Sequence, residues 1–256
     1  MTTLSHLSGF DVEPFPVSRV SVIRPLVWLW RGVGDLRHSP GASLAYGLMV
    51  SVMGAIILGF WHHPYLIAGS ITGFLLVGPL LTAGLCELSR RRAAGESVDF
   101  DASLSVLGRH REALVRFAAG LLIVGALWFA VSTLILGLAL GSAGPSVSGT
   151  LWGGVLDQMT LAQAVAYVVI GGSLAAAVFA GSVVSVPLII DRDVDAPTAI
   201  STSRRVLLDD IPAMIVWSVL IVTLVAIGFA TYLVGMVVVF PLLGHATWHA
   251  YRDLVR

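Results

Sequence analysis

The stretch Ser185-Val-Pro-Leu-Ile-Ile-Asp-Arg-Asp-Val-Asp-Ala-Pro197 marks an abrupt change from an apolar run to dense charge. No charged residue occurs in residues 161–190, whereas three aspartates and one arginine follow within the next five positions. Such a change is typical of a transmembrane helix that leaves the bilayer. Because the chain repeats this arrangement elsewhere, we predict an integral membrane protein.

The composition agrees with a membrane location and excludes several functions. Of the 256 residues, 57% are hydrophobic and 12% are charged, about half the charged fraction of a soluble domain. A net charge of zero argues against nucleic-acid binding, which needs a basic surface. The single cysteine, Cys86, excludes an internal disulfide and a multi-cysteine metal site. The first residues do not have the pattern of a signal peptide, so we expect insertion through the first internal apolar helix.

The apolar runs predict an all-α fold with six transmembrane helices, preceded by a flexible cytoplasmic tail at residues 1–19. Residues 20–256 then form a single membrane domain. Each run is about as long as a bilayer crossing requires. The expected spans are residues 42–60, 65–85, 114–140, a segment within 161–190, about 211–228 and about 232–251. The break between the fifth and sixth spans is placed near residues 228–232.

The arginines support this number of spans. All 15 basic residues are arginines, and with six spans they all fall on one side, whereas Asp157 is the only charged residue on the other. The positive-inside rule therefore places both termini in the cytoplasm. Fusing the last two spans would move Arg252 and Arg256 outside. A cysteine at Ser146 should then label from outside intact cells, and one at Ser203 should not.

Three amphipathic segments precede the predicted hairpins. They cover residues 20–36, residues 102–116 and a segment that begins at Pro197, with Asp195 as its N-cap. We expect at least two of them to lie in the membrane interface; an ordinary juxtamembrane linker is the alternative for residues 20–36. Similar sequences around Pro79, Pro187 and Pro241 further suggest three copies of one unit, an interfacial helix followed by a two-helix hairpin. Coincidence among leucine-rich helices is the alternative explanation.

Two strings are specific enough to indicate a family. They are Pro-Leu-Ile-Ile-Asp-Arg-Asp-Val-Asp-Ala-Pro-Thr-Ala at residues 187–199 and Gly-His-Ala-Thr-Trp-His-Ala-Tyr-Arg-Asp-Leu-Val at residues 244–255. With them the chain resembles, from about residue 25 onward, the bacterial integral membrane proteins of domain of unknown function family 2189. The resemblance implies a multi-pass protein of the bacterial inner membrane. It implies no activity, because none is established for the family.

His245 and His249 form the first candidate cluster. They are four residues apart on one predicted helix, so they share a face and are able to approach one metal ion or a haem. No third ligand is evident. The core of a cytochrome c oxidase would need six histidines on membrane helices to hold two haems and a copper ion. We therefore expect both imidazoles to hydrogen-bond to neighbouring groups, and we predict no metal and no cofactor.

Asp191, Arg192, Asp193 and Asp195 form the second candidate cluster. The alternating aspartates superficially resemble a calcium loop but lack its glycine and its terminal glutamate. We expect Asp193 and Asp195 to cap the following helix and Arg192 to lie against the end of the preceding one. Pairing of the aspartates with Arg192, Arg204 or Arg205 is part of the same prediction.

The sequence contains no nucleophile-base or phosphate-loop motif, so we predict that the protein is not an enzyme. We expect a scaffold, accessory subunit or assembly factor of a membrane complex, with the lipid bilayer and another membrane protein, or a second copy, as partners. A transporter or channel for a small or hydrophobic solute is the alternative. It would need a polar cavity lined by Thr82, Ser182, Ser185 and His245. No Asp, Glu or Arg lies near the middle of any predicted span, which argues against an ion-coupled transporter.

Overall fold

The computed structural model describes residues 15–59, 80–140 and 160–256. These residues form helices and one isolated antiparallel bridge, between Val17 and Val255, so the all-α prediction is confirmed. The helices are α1 (Arg24–His38), α2 (Pro40–Gly59), α3 (residues 80–94), α4 (Phe100–Arg109), α5 (Arg111–Leu140), α6 (Leu161–Ser182), α7 (Ser185–Arg192), α8 (Ala196–Asp209), α9 (Ile211–Ala230) and α10 (Met236–Leu254).

The described residues contain three helical segments that are long and apolar enough to cross a membrane. They are Arg111–Val131, Leu161–Arg192 and Ile211–Ala230, and a bent pair, Arg24–His38 with Pro40–Ile56, makes a fourth if counted as one span. The described residues leave out most of the predicted second span, the predicted outer turn at residues 61–64 and residues 141–159 of the predicted outer loop, which include Ser146 and Asp157. The predicted sixth span, α10, is not among the candidates, because its second half carries two histidines, an arginine and an aspartate.

The break between the last two long helices is present, although a few residues later than predicted. Helix α9 ends at Ala230, and α10 begins at Met236. Tyr232 and Leu233 take positive φ angles of 51° and 69° between them. Thr231 closes the turn, since its hydroxyl donates to the Gly228 carbonyl at 2.9 Å and accepts from the Gly235 amide at 2.9 Å.

Each short amphipathic helix joins the following long helix through a single residue. These residues, which we call the hinges, are Ser39, His110 and Asp210. Their φ and ψ angles are similar, at −130° and 62°, −112° and 25°, and −137° and 57°. Each hinge amide donates to the carbonyl four residues earlier, and each hinge carbonyl accepts from the amide four residues later. The last backbone bond of one helix and the first backbone bond of the next therefore meet at the hinge residue, where the helix axis turns, by 108° between α1 and α2.

The second hinge corrects one sequence prediction. Residues 102–116 were expected to form one amphipathic segment, but α4 ends at Arg109 and residues 111–116 already belong to the long helix α5. Asp99 caps α4 by accepting from the Ala102 amide at 2.7 Å. The charged residues around His110 thus lie on two helices that meet at the hinge.

Residues at the same distance from each hinge are similar in size and burial. The seventh residue after each hinge is a buried aromatic, namely Tyr46, Phe117 or Trp217. The seventh residue before each hinge is small and buried, namely Gly32, Ser103 or Ser203. Small residues allow another helix to approach closely at these points. An added Cβ at Gly32 would lie 3.0 Å from the Leu242 carbonyl oxygen of α10.

The long apolar segment that ends in the opening stretch is interrupted at Val183 and Val184, between α6 and α7. Pro187 causes this break, because its ring clashes with the carbonyl four residues earlier. The lost bond from the Val184 amide to the Ala180 carbonyl is replaced by Ser203 of α8. Its hydroxyl donates to the Ala180 carbonyl at 2.8 Å and accepts from the Val184 amide at 3.4 Å. A hydroxyl from a neighbouring helix thus satisfies both freed backbone groups.

The core lies on the arginine-rich side of the molecule, where the short helices pack on the ends of the long ones. Its largest buried side chains come from five different helices: Trp28, Leu114, Leu188, Ile189, Met214, Trp217, Trp248 and Tyr251. Trp28 and Trp217 meet edge to face at 5.6 Å between ring centroids. By contrast, α6 has no buried residue, and α5 exposes Ile123, Leu127 and Phe129.

The first and last described segments, residues 16–20 and 254–256, contact this core. The Ser18 amide donates to the Leu254 carbonyl at 2.8 Å, and the Arg256 amide donates to the Pro16 carbonyl at 3.0 Å. Val20 donates its amide to the Asp210 carboxylate at 2.7 Å. Of the predicted flexible tail, residues 1–14 lie outside the described residues, and residues 16–18 are held by these bonds.

Candidate functional site: a buried polar network

The two predicted clusters lie next to each other on the arginine-rich side. His245 and His249 are on α10, and the aspartates surround the junction of α7 and α8. Tyr251 of α10 connects the two clusters, because its hydroxyl donates to the Asp191 carboxylate at 2.5 Å. The sequence therefore located two parts of one region but did not indicate the residue that joins them.

His245 is completely buried, and both of its ring nitrogens have partners. Nε2 lies 2.9 Å from the Ser43 hydroxyl of α2, and Nδ1 lies 2.8 Å from the Ser89 hydroxyl of α3. Residues 43 and 245 are far apart in sequence, so the contact holds the first part of the fold against the last helix. A buried imidazole with two hydrogen bonds avoids the cost of an unsatisfied polar group.

Asp35 of α1 is the centre of the network. One of its carboxylate oxygens accepts from the Ser89 hydroxyl at 2.5 Å and from His249 Nε2 at 2.9 Å. The other accepts from Arg92 Nη1 at 2.5 Å. Asp35 itself is 5% exposed. A buried carboxylate is tolerated here because it is paired with a cation and receives several hydrogen bonds.

The acceptor role of Asp35 sets the direction of the hydrogen bonds. Because the carboxylate accepts, the Ser89 hydroxyl donates its only proton to it. The Ser89 oxygen then accepts from His245, which places the imidazole proton on Nδ1. In the neutral ring, Nε2 therefore accepts from the Ser43 hydroxyl. The network is a directed series from Ser43 through His245 and Ser89 to Asp35.

A serine next to an imidazole is also the pair found in hydrolases, where the histidine activates the hydroxyl. Ser43 and His245 are both fully buried, so no substrate has access to the Ser43 oxygen in this structure. Within the described residues, no three metal-binding side chains lie close enough together to hold a metal ion. The hydrogen bonds of this network connect helices α1, α2, α3 and α10 to one another.

The aspartates of the second cluster have separate roles. Asp195 caps α8 as predicted, since its carboxylate accepts from the Thr198 amide at 3.1 Å. Hydrogen bonds from the side chain and the amide of Thr198 lower the pKa of Asp195 below its usual value. Asp193 does not cap α8, contrary to the prediction. It ends α7 in the left-handed conformation, with φ of 52° and ψ of 42°, and its carboxylate accepts from His110 Nδ1 at 2.8 Å.

Asp191 connects α7 with α10. In addition to the bond from Tyr251, its carboxylate lies 3.4 Å from Arg192 Nε and 3.7 Å from Arg252 Nη1. The predicted pairing with Arg192 is therefore present. Arg205 donates to the Phe15 carbonyl at 3.3 Å.

Two further carboxylates complete the charged layer. Glu87, whose side chain is wholly buried, pairs with Arg90 at 2.7 Å, Arg91 at 3.0 Å and Arg109 at 2.8 Å. Burial alone would raise the pKa of Glu87, but the hydrogen bonds and charges of Arg90 and Arg109 lower it overall.

Asp253 accepts from Arg24 Nε at 2.6 Å and from Trp28 Nε1 at 2.8 Å. Burial tends to raise the pKa of Asp253, and these hydrogen bonds lower it below its usual value. These ion pairs connect α3 with α4 and α1 with α10.

The sequence analysis did not identify Asp35, Ser43, Ser89 or Arg92. Asp35 occurs in a segment interpreted as an interfacial helix, and the serines occur at the ends of apolar runs. One signal was present in the sequence: Asp35 is the only acidic residue between residues 14 and 86, and an isolated acid among apolar residues needs a partner. The identity of that partner depends on the packing of α10.

A family model described as "Predicted integral membrane protein (DUF2189)" matches residues 66–191. The resemblance stated from the sequence is confirmed over this range, which contains Glu87, Arg90, Arg109 and Asp191 and ends before Asp193 and Asp195. No curated protein and no solved structure matches the chain.

Proposed function

We propose, from the premise that the matched region belongs to this family of integral membrane proteins, that the protein is a non-catalytic scaffold, accessory subunit or assembly factor of a membrane complex. In this proposal, the hairpin of α5 and α6 is the face that receives a transmembrane helix of a partner. The observation that carries the proposal is the contrast between this hairpin and the rest of the molecule. Helix α6 has no buried residue, whereas α10 is largely buried.

The paired state of the buried polar groups supports a structural rather than a catalytic role. Asp35, Glu87 and Asp253 are each neutralised by arginines, and His245 is bonded on both nitrogens. A catalytic group normally faces a cleft that admits substrate. These groups instead join helices to one another.

The hairpin carries a groove suited to a helix. An apolar cavity of about 350 Å³ lies between α5 and α6 and is lined by Leu127, Trp128, Val131, Val169, Ile170, Ser173, Leu174 and Ala177. Trp128 and Tyr167 pack at 5.0 Å between ring centroids. Beside the groove, a Cβ atom added at Gly172 would have no neighbouring atom within 4 Å. Small residues permit close contact between membrane helices.

Small residues recur every four positions along one face of α6, at Gly172, Ala176 and Ala180. Gly172 and Ala176 are exposed, and Ala180 is partly covered. In the proposal, this small-residue face meets the partner rather than another helix of the same chain.

The proposed topology has six crossings with both termini in the cytoplasm of a bacterial inner membrane. The break between α9 and α10 and the arginine distribution support it. We also propose that the chain consists of three related units, namely α1–α2–α3, α4–α5–α6–α7 and α8–α9–α10. The three hinges, with matching backbone angles, matching hydrogen bonds and a buried aromatic seven residues later, support this repeat.

The alternative function, a transporter or channel, has less support. The hydroxyls of Ser182 and Ser185 donate to carbonyls of their own helical segment, each at 2.6 Å. His245 is buried between two serines. None of these groups lines the apolar groove between α5 and α6. A structure with a continuous polar passage through residues 60–79 and the described helices would favour the alternative.

Site-specific photo-crosslinking in native membranes tests the scaffold proposal. A photoreactive side chain at Leu127 or Val169, in the groove, should give a discrete protein adduct. The same group at Val222, which is exposed on α9, serves as the control. Mild-detergent purification should recover the same partner, or a second copy of the chain. Adducts with lipid alone at all three positions, together with a partner-free particle, would refute the proposal.

A further inference from the structure

Two adjoining cavities lie at the N-terminal end of α5. The larger, of about 410 Å³, is lined by Arg90, Arg109, His110, Ile190, Asp191 and Asp193. The smaller, of about 270 Å³, is lined by Arg116 and Asp195 among others. They share Arg109, His110 and Asp193, so together they form one polar recess, which we call the α5 recess.

The α5 recess lies where a candidate membrane span begins. The apolar span that it borders starts at Arg111, directly after the hinge residue His110. The end of a transmembrane span is the level of the phospholipid headgroups. A ligand of this recess is therefore within reach of a lipid whose acyl chains lie along α5.

The cationic side chains of the recess suit a phosphate group. Arg109 has a side chain that is 50% exposed, and within the described residues it hydrogen-bonds only through Nη2, to Glu87 and Ser105. Its Nε and Nη1 donors are therefore available. The Arg116 side chain is 62% exposed and pairs at 2.6 Å with Glu112, whose side chain is 79% exposed. Guanidinium groups bind phosphate through two parallel hydrogen bonds.

The anionic side chains of the same recess suit an ammonium group. Asp193 is 85% exposed, and His110 fixes its carboxylate at 2.8 Å. Its backbone has the left-handed conformation that normally selects glycine at the end of a helix. An aspartate at this position adds a carboxylate to the wall shared by the two cavities. Asp195 provides a second carboxylate at the rim.

We infer that the α5 recess binds the headgroup of a zwitterionic phospholipid whose amine carries hydrogens, as in phosphatidylethanolamine. The phosphate is bound by Arg109 and Arg116, and the primary ammonium by Asp193 and Asp195. A purely anionic headgroup such as phosphatidylglycerol meets the carboxylates without compensation. Phosphatidylcholine keeps the positive charge but has no N–H donor for the carboxylates.

The test measures binding of short-chain phospholipids to the purified full-length protein in a neutral detergent, by native mass spectrometry. Phosphatidylethanolamine should bind about tenfold more tightly than either of the other two lipids, the change expected from one charge-assisted hydrogen bond. Arg109→Gln and Arg116→Gln should weaken the binding of all three lipids. Asp193→Asn should weaken only phosphatidylethanolamine and remove its advantage over phosphatidylcholine.

Controls for charge come from α8. Arg204→Gln and Asp209→Asn remove the same charges at exposed positions that do not line the recess and should leave binding unchanged. The inference is overturned if phosphatidylglycerol binds as tightly as phosphatidylethanolamine, or if the controls act like the recess variants. Soluble glycerophosphoethanolamine should compete poorly. If it binds as tightly as the lipid, the ligand is a free headgroup rather than a membrane lipid.

Discussion

Replacing Ser203 with alanine removes the hydroxyl that closes the gap between α6 and α7. Ser203 is fully buried, and its oxygen lies 2.8 Å from the Ala180 carbonyl and 3.4 Å from the Val184 amide. Without it, the partly buried carbonyl of Ala180 and the buried amide of Val184 lose their partner. Leaving such groups unsatisfied costs about 1–3 kcal/mol. For a chain of this size, this corresponds to a fall in Tm of about 2–12 °C.

The assay is thermal unfolding of the purified protein in one detergent, followed by tryptophan fluorescence. Ser201→Ala is the matched control, because Ser201 lies on the same helix, and its hydroxyl makes only an exposed bond to the Thr198 carbonyl at 2.9 Å. Ser201→Ala should change Tm by less than about 1 °C, in keeping with a surface substitution. Equal shifts for Ser201→Ala and Ser203→Ala would refute this account of the gap.

A double-mutant cycle with Pro187 tests the cause of the gap. Alanine at residue 187 removes the ring that clashes with the Val183 carbonyl, so the helix is able to continue and Val184 regains its normal acceptor. Ser203→Ala should then cost less in the Pro187→Ala background than in the wild type. Additive effects of the two substitutions would mean that the proline and the serine act independently.

Three further predictions follow from the charged layer and the topology. Asp195→Ala should lower Tm slightly without preventing insertion, because α8 loses its cap; unchanged Tm combined with loss of a cellular phenotype would instead indicate a binding role. The pKa of Glu87 is lowered in the folded state, so the ionised carboxylate stabilises the fold at pH values above its ordinary pKa. This stabilisation is lost as the pH falls through the folded-state pKa. The wild type should therefore lose Tm on acidification, and Glu87→Gln should lose less. A cysteine at Ser146 should label from outside intact cells and one at Ser201 only after lysis; Ser201 replaces the originally chosen Ser203, whose burial alone would prevent labelling.

The sequence predicted the helices well where a local signal was present. The step at Asp191, the proline at residue 197 and the cap at Asp195 all act within a few residues of their position, and α8 begins where they indicate. The break after α9 was predicted because a continuous run would have placed Arg252 on the wrong side. Local sequence signals thus predicted the start of α8 and the break between α9 and α10.

The sequence could not predict which polar residues meet. Asp193 was expected to cap α8 because it precedes that helix by three residues, yet its carboxylate is directed to His110, 83 residues away in sequence. The bond between Ser43 and His245 spans 202 residues. Such pairs depend on how the helices pack, and periodicity within one helix carries no information about its neighbours. The sequence likewise predicted the amphipathic segments but not the single-residue hinges at which they end.

The distance in sequence between Asp35 and its partner His249 has a consequence for biosynthesis. The pair is separated by 214 residues, so the ribosome must make that length of chain after Asp35 before α10 is able to reach α1. Until then, Asp35 lacks His249 and Ser43 lacks His245 while the intervening helices are already entering the membrane. Helix α10 therefore completes α1 late in synthesis, and a nascent chain that stops before residue 245 leaves both α1 and α2 with polar groups that have not found their final partners.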